Sequence, residues 1–79
     1  MTGKNSDIIV VDAKYKSCPG PIIELSEAVR KASAGQTVVL LATDPAAPAD
    51  VEAWVGQVGH RLLQVSKQND TYEIRIQVR

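Results

Sequence analysis

Apolar and polar positions alternate along this chain in two distinct rhythms. Ile8-Ile9-Val10-Val11 is a short, continuously apolar and β-branched run, which predicts a buried strand rather than a half-exposed one. Ile22, Leu25, Val29 and Ala32 then recur at spacings of three and four, with Glu24, Glu27, Arg30 and Lys31 turned mostly to solvent. That rhythm predicts a helix from about Pro21 to Ser33, closed by Ala34-Gly35. Thr37 to Ala42 is the most apolar run and the candidate for the centre of a sheet. Thr43 to Asp50 is rich in turn residues. A second helix follows from near Pro48 to Val58, with Val51, Trp54, Val55 and Val58 on one face and Gly59 as its stop. Two strands, Arg61 to Lys67 and Thr71 to Val78, flank Gln68-Asn69-Asp70 as a hairpin turn. In the last strand Tyr72, Ile74, Ile76 and Val78 alternate with Glu73, Arg75 and Gln77, so one face is buried and the other wet.

The order βαβαββ with one apolar stripe per helix predicts an α/β two-layer sandwich: a mixed four-stranded sheet with both helices on one face. Residues 1–7 read as a flexible N-terminal segment and 8–79 as one domain. Nine basic and nine acidic residues cancel. That balance argues against non-specific binding to nucleic acid or to a membrane surface. The run Val38 to Ala42 is far too short to span a bilayer, and Met1 to Asp7 lacks the apolar core of a signal peptide. One cysteine cannot form an internal disulfide, so nothing points to secretion and the expected setting is the cytoplasm. A monomer is the simplest expectation for the oligomeric state, which the residues leave open. One cysteine and one histidine do not make a closed zinc shell, and Gly20 alone is no phosphate loop. Neither a metal nor a cofactor is expected.

The cysteine's setting is the most informative chemistry: Ser17-Cys18-Pro19-Gly20-Pro21, just ahead of the first helix. Proline suits a first helical turn, because its missing N–H would have no intrahelical partner there. A helix N-terminus favours negative charge and lowers a thiol's pKa, and the thiolate is the reactive form. Lys14 and Lys16 add to that tendency if they approach the sulfur. The competing reading, a lone cysteine as a small buried hydrophobe, fits poorly with the polar flank Asp12 to Ser17.

Cys18-Pro19-Gly20-Pro21 resembles the Cys-Pro-x-Pro motif of the TusA/SirA family of small sulfur carriers. Asp12, Gly35, Thr43-Asp44-Pro45, Asp50, Trp54 and Gly59-His60 also fall where that family has such residues. The likeness runs from Ile8 to the C-terminus. It implies the same two-layer fold and a sulfur relay in which Cys18 accepts sulfane sulfur as a persulfide or thiosulfonate and passes it on. Pro19, Gly20 and Pro21 would shape the loop and start the helix. The implied partners are a sulfur donor (rhodanese-like or DsrE-like proteins, thiosulfate or polysulfide) and an acceptor protein, in tRNA thiolation, cofactor sulfuration or sulfur oxidation. Such a protein is a sulfurtransferase acting as a carrier more than an autonomous catalyst. One departure stands out. Tyr15 and Lys16 occupy positions where the family often has glycine and leucine, and glycine there implies a backbone conformation that tyrosine tolerates poorly.

Tyr15, with Lys14 and Lys16, is a candidate entrance or docking surface beside the thiol. Trp54 reads as core packing, His60 as a solvent-facing turn residue with a minor alternative as base for Cys18, and Asp44 and Asp50 as turn and cap residues around the second helix start. Two other functions compete with sulfur transfer. A peroxide-reducing thiol would pass through a sulfenic acid and need an external resolving thiol. A regulatory binding module would leave Cys18 incidental.

Overall fold

A computed structural model describes residues 8–17 and 20–79. Its elements follow the predicted order: β1 (Ile8–Ala13), α1 (Gly20–Lys31), β2 (Thr37–Ala42), α2 (Ala47–Val58), β3 (Arg61–Gln68) and β4 (Thr71–Gln77). The N-terminal segment 1–7, expected to be flexible, lies outside the described residues, as do Cys18 and Pro19.

The four strands form one sheet in the order β1-β2-β4-β3. β1 and β2 are parallel, as a helical crossover requires, and the β2–β4 and β3–β4 pairs are antiparallel. β2 is interior, and its three central residues Val38, Val39 and Leu40 are 0–4% exposed. The core lies on one face. Val38, Leu40, Ile74 and Ile76 stand side by side there and meet Leu25 and Val29 from α1 and Val51 and Val55 from α2. α1 packs over β1 and β2, α2 over β3 and β4, and the two helices touch each other. Burying a side chain of the size of Leu25 contributes roughly 1.5–3 kcal/mol. This layer is therefore what fixes the register of the sheet against slippage.

The expectation of a buried first strand is overturned. Ile8 is 53% and Val10 62% exposed, while Ile9 and Val11 are half-buried. The helices cover only one face of the sheet and β1 is an edge, so its apolar run is half covered. Val39 shares the open face with Val10 and Arg75, its cross-strand neighbours, and is shielded between them.

The element ends differ slightly from the predicted ones. α1 stops at Lys31, short of Ser33, because the Ala32 N–H turns to the Val29 carbonyl in a tighter final bond. Gly35, at φ 95°, reverses the chain beyond it. α2 ends as predicted at Gly59, which takes a left-handed φ of 87° and donates its N–H to the Val55 carbonyl. Val58, placed by periodicity on the apolar face, is 46% exposed.

Candidate functional site: the β1–α1 loop

β1 and β2 end level, with Ala13 opposite Ala42. The loop after β1 turns at once. The Asp12 carboxylate accepts the Lys14 N–H at 3.1 Å, a local bond that competes with continuing the strand. The Lys16 N–H points back to the Ala13 carbonyl at 3.4 Å, which closes a four-residue turn with Tyr15 in third place. That position calls for a positive φ in several turn types. Tyr15 takes it, at φ 66°. A left-handed conformation costs a side-chain-bearing residue roughly 1–2 kcal/mol. The loop thus keeps the backbone that a glycine would adopt freely and carries a phenol ring on it, 82% exposed. The strain is held from outside the loop: the Tyr15 N–H donates to Thr43 Oγ1 at 2.9 Å, on the neighbouring loop after β2.

Further on, the Ser17 carbonyl accepts the Gly20 N–H at 2.7 Å, so the residues on either side of Cys18 and Pro19 are drawn together. Cys18 and Pro19 themselves lie outside the described residues. Gly20 lies close to Lys16: a Cβ there would stand 3.1 Å from the Lys16 Cβ, a tight contact that Lys16 would have to yield to by a few tenths of an ångström. Pro21 is buried and anchors the first turn of α1, which holds no acidic residue. The positive end of that helix dipole therefore meets no carboxylate in its own first turn. Lys16 Nζ is 3.8 Å from Glu24 Oε2, both side chains nearly half exposed, and Lys14 is half-buried. Lys14, Tyr15, Lys16, Gly20 and Pro21 are thus gathered at one end of β1.

His60 is elsewhere. It follows α2 at the opposite end of the sheet, where its Nδ1 accepts the Arg79 N–H at 3.1 Å. Its ring lies 6.0 Å from that of Trp54, and it is half-buried rather than solvent-facing. β2 separates that end from the Tyr15 loop by six residues, about 20 Å of extended chain. Trp54 packs against the core as read. Asp44 makes the predicted turn, its carboxylate accepting the Ala46 N–H at 2.9 Å. Asp50 does not cap α2, whose cap position is Ala46 with no side-chain cap bond; it sits inside the first turn, where its charge suits the dipole. The role of Thr43 in fixing Tyr15 depends on a contact across 28 residues, which no local pattern signals.

A strained turn with an exposed Tyr15 lies between a parallel strand and a helix N-terminus, in the loop whose sequence holds the cysteine and at the sheet edge where open α/β folds place their sites. A family model described as "Sulfurtransferase TusA" matches residues 9–78, and the chain belongs to that family. Among its relatives, the sulfur carrier protein TusA of Pseudomonas putida (strain W619) is 36% identical over 72 residues, 91% of this chain and 89% of its own. A relative from Archaeoglobus fulgidus is 34% identical over 67 residues, covering 85% and 92% of the two chains. The crystal structure of a SirA-like protein from Desulfitobacterium hafniense superimposes with a TM-score of 0.77 at 24% identity, covering 87% of this chain and 95% of that one. That likeness shows the fold. No helix among the described residues is long and apolar enough to cross a membrane.

Proposed function

We propose that this protein is a sulfur carrier that holds sulfane sulfur on Cys18 and relays it between proteins. The observation that carries the reading is the family match over residues 9–78, which includes the cysteine-bearing loop at the start of α1. In the loading step, the Cys18 thiolate attacks the outer sulfur of a donor persulfide. A new S–S bond forms on Cys18, the donor's S–S bond breaks, and the donor leaves as a thiolate with that electron pair. Unloading repeats the step with Cys18 as the leaving thiolate, so no external oxidant or reductant is consumed. Such exchange depends on thiolate fraction and access, and both are favoured by an exposed loop at an uncompensated helix N-terminus. Gly20 and Pro21 begin the helix, and Pro19 completes the motif between them and the cysteine in sequence. Lys14, Tyr15 and Lys16 form the docking rim for rhodanese-like or DsrE-like donors and for the acceptor protein. A reducing cytoplasm fits a carrier with one free thiol.

The test is intact-mass spectrometry of the reduced chain after exposure to thiosulfate, polysulfide or a persulfidated rhodanese, beside Cys18→Ser. Wild type should gain the mass of one sulfur atom, reversibly by thiol reductant, and Cys18→Ser nothing. No adduct from any donor overturns the proposal.

A further inference from the structure

The two edges of the sheet are finished differently. β3 is interrupted by a register shift between Leu62 and Gln64 and carries Arg61, Gln64, Lys67 and Gln68. Bulges and charges of that kind are what keep an edge from pairing with another chain. β1 has no bulge and a single charge, Asp12, next to its C-terminal end. Its pairing with β2 runs without a break from Ile8 to Ala13, its first four residues are uncharged, and its outer edge meets no strand among the described residues. Beside that edge lies a groove of about 370 Å³ between β1 and α1, lined by residues 9–12 of the strand and by Glu24, Glu27, Ala28 and Lys31 of the helix.

From these features we infer that the β1–α1 groove binds an extended, cationic segment of a partner protein, added to the sheet as a fifth strand beside β1. The chemistry of the occupant follows from the pleat. A strand there would lie about 4.8 Å from β1 and send alternate side chains to opposite faces. On the helix side they would meet Ile9, Val11 and Ala28 beneath the carboxylates of Glu24 and Glu27. Lys or Arg suits those positions, with an aliphatic stem on the apolar floor and a charged head at the acids. On the open side they would meet Ile8, Val10 and Asp12, so Val or Ile suits the positions beside the first two. Among the described residues Asp12 and Glu27 have no ion-pair partner, and Glu24 has only the 3.8 Å contact to exposed Lys16. Backbone bonds to the β1 edge would supply affinity, and the alternation of basic and apolar residues would supply selectivity. A second copy of this chain fits less well, because each groove has three acids against one lysine and two such grooves would repel.

The proposal concerns a surface rather than the thiol, so it is tested in the full chain carrying Cys18→Ser, which cannot load sulfur; failure of the carrier reading leaves the result untouched. The probe is a capped synthetic heptapeptide alternating Lys or Arg with Val, beside a control with Glu at every basic position. On titration of the isotope-labelled chain, the basic peptide should shift resonances of residues 8–13 and of Glu24, Glu27 and Ala28, and slow hydrogen exchange at outward-facing β1 amides. The double variant Glu24→Gln/Glu27→Gln should weaken binding about fivefold, the size expected for losing two half-exposed charge pairs. Val10→Lys, at a 62% exposed site, should abolish it without unfolding the chain. Equal binding of the acidic control, shifts located elsewhere, or no shifts at all overturn the inference. So does dimerisation through β1 detected by diffusion measurements, which would assign the edge to a second copy.

Discussion

Two loops leave the same edge of this sheet and begin alike. Each turns on an aspartate whose carboxylate accepts the N–H two residues on, Asp12 from Lys14 and Asp44 from Ala46. Each leads into a helix with proline in its first turn, Pro21 and Pro48. There the likeness stops. The β2–α2 loop spans residues 43–46 and enters α2 through Ala46 at an ordinary φ of −82°. The β1–α1 loop spans residues 14–19, holds Tyr15 in the left-handed region and carries the cysteine. The plain loop supports the strained one, because Thr43 accepts the Tyr15 N–H. Backbone strain persists only where its surroundings over-determine it, and here the neighbouring loop does so. One loop is a brace and the other is the strained loop it holds.

The largest expected effect lies in the brace. Asp44→Ala removes the acceptor that shapes the turn into α2 and should cost about 1–2 kcal/mol in urea unfolding. Sulfur loading per folded molecule should stay near wild type. If Asp44→Ala instead abolishes loading while the chain remains folded, the division of labour between the loops is wrong.

Tyr15 is the next test. Tyr15→Gly relieves the left-handed strain and should raise stability by about 1 kcal/mol after the added flexibility of the unfolded chain is allowed for. Tyr15→Ala keeps the strain and should stay close to wild type. Both variants lose the exposed ring, so both should slow transfer to a partner protein while leaving loading from polysulfide unchanged. Equal stabilities of the glycine and alanine variants would remove the case for strain. Thr43→Val comes third. It leaves the Tyr15 N–H without its acceptor, should cost about 0.5–1 kcal/mol and should speed hydrogen exchange at the Tyr15 amide, whereas Thr43→Ser should retain the bond.

These loops also show how much the sequence makes legible. Periodicity located Leu25, Val29, Val51 and Val55 on the covered faces of the helices, and the alternation from Tyr72 to Val78 gave the one-sided burial of β4. Those features are local, so a local pattern reports them. The run from Ile8 to Val11 is ambiguous in sequence because two-sided burial and an edge strand with an apolar open face leave the same pattern; only the strand order separates them. His60 was misread for a similar reason, since its partner Arg79 lies 19 residues away. At the loop's exit, the place of Pro21 in the first turn of α1 was readable from its own backbone chemistry, whereas Gly20 entered only through the motif. The conformation of Tyr15 was legible only as a conflict, tyrosine where glycine is usual, and its resolution needed Thr43.

The smallest effect on stability is expected at the rim of the strained loop, and there it separates charge from structure. Lys16 and Glu24 are 3.8 Å apart with side chains 46% and 42% exposed. A pair so open to solvent is worth a few tenths of a kcal/mol, so Lys16→Gln should leave the unfolding midpoint almost unmoved. Reversing both Lys14 and Lys16 to Glu should likewise leave the fold intact, yet slow transfer to and from partner proteins, with the difference fading as salt is raised. Loading from a small neutral donor gains nothing from docking and should change far less. Unchanged rates with every protein partner would show that the cationic flank is merely solvated and leave Tyr15 as the sole feature of the rim that a partner could read.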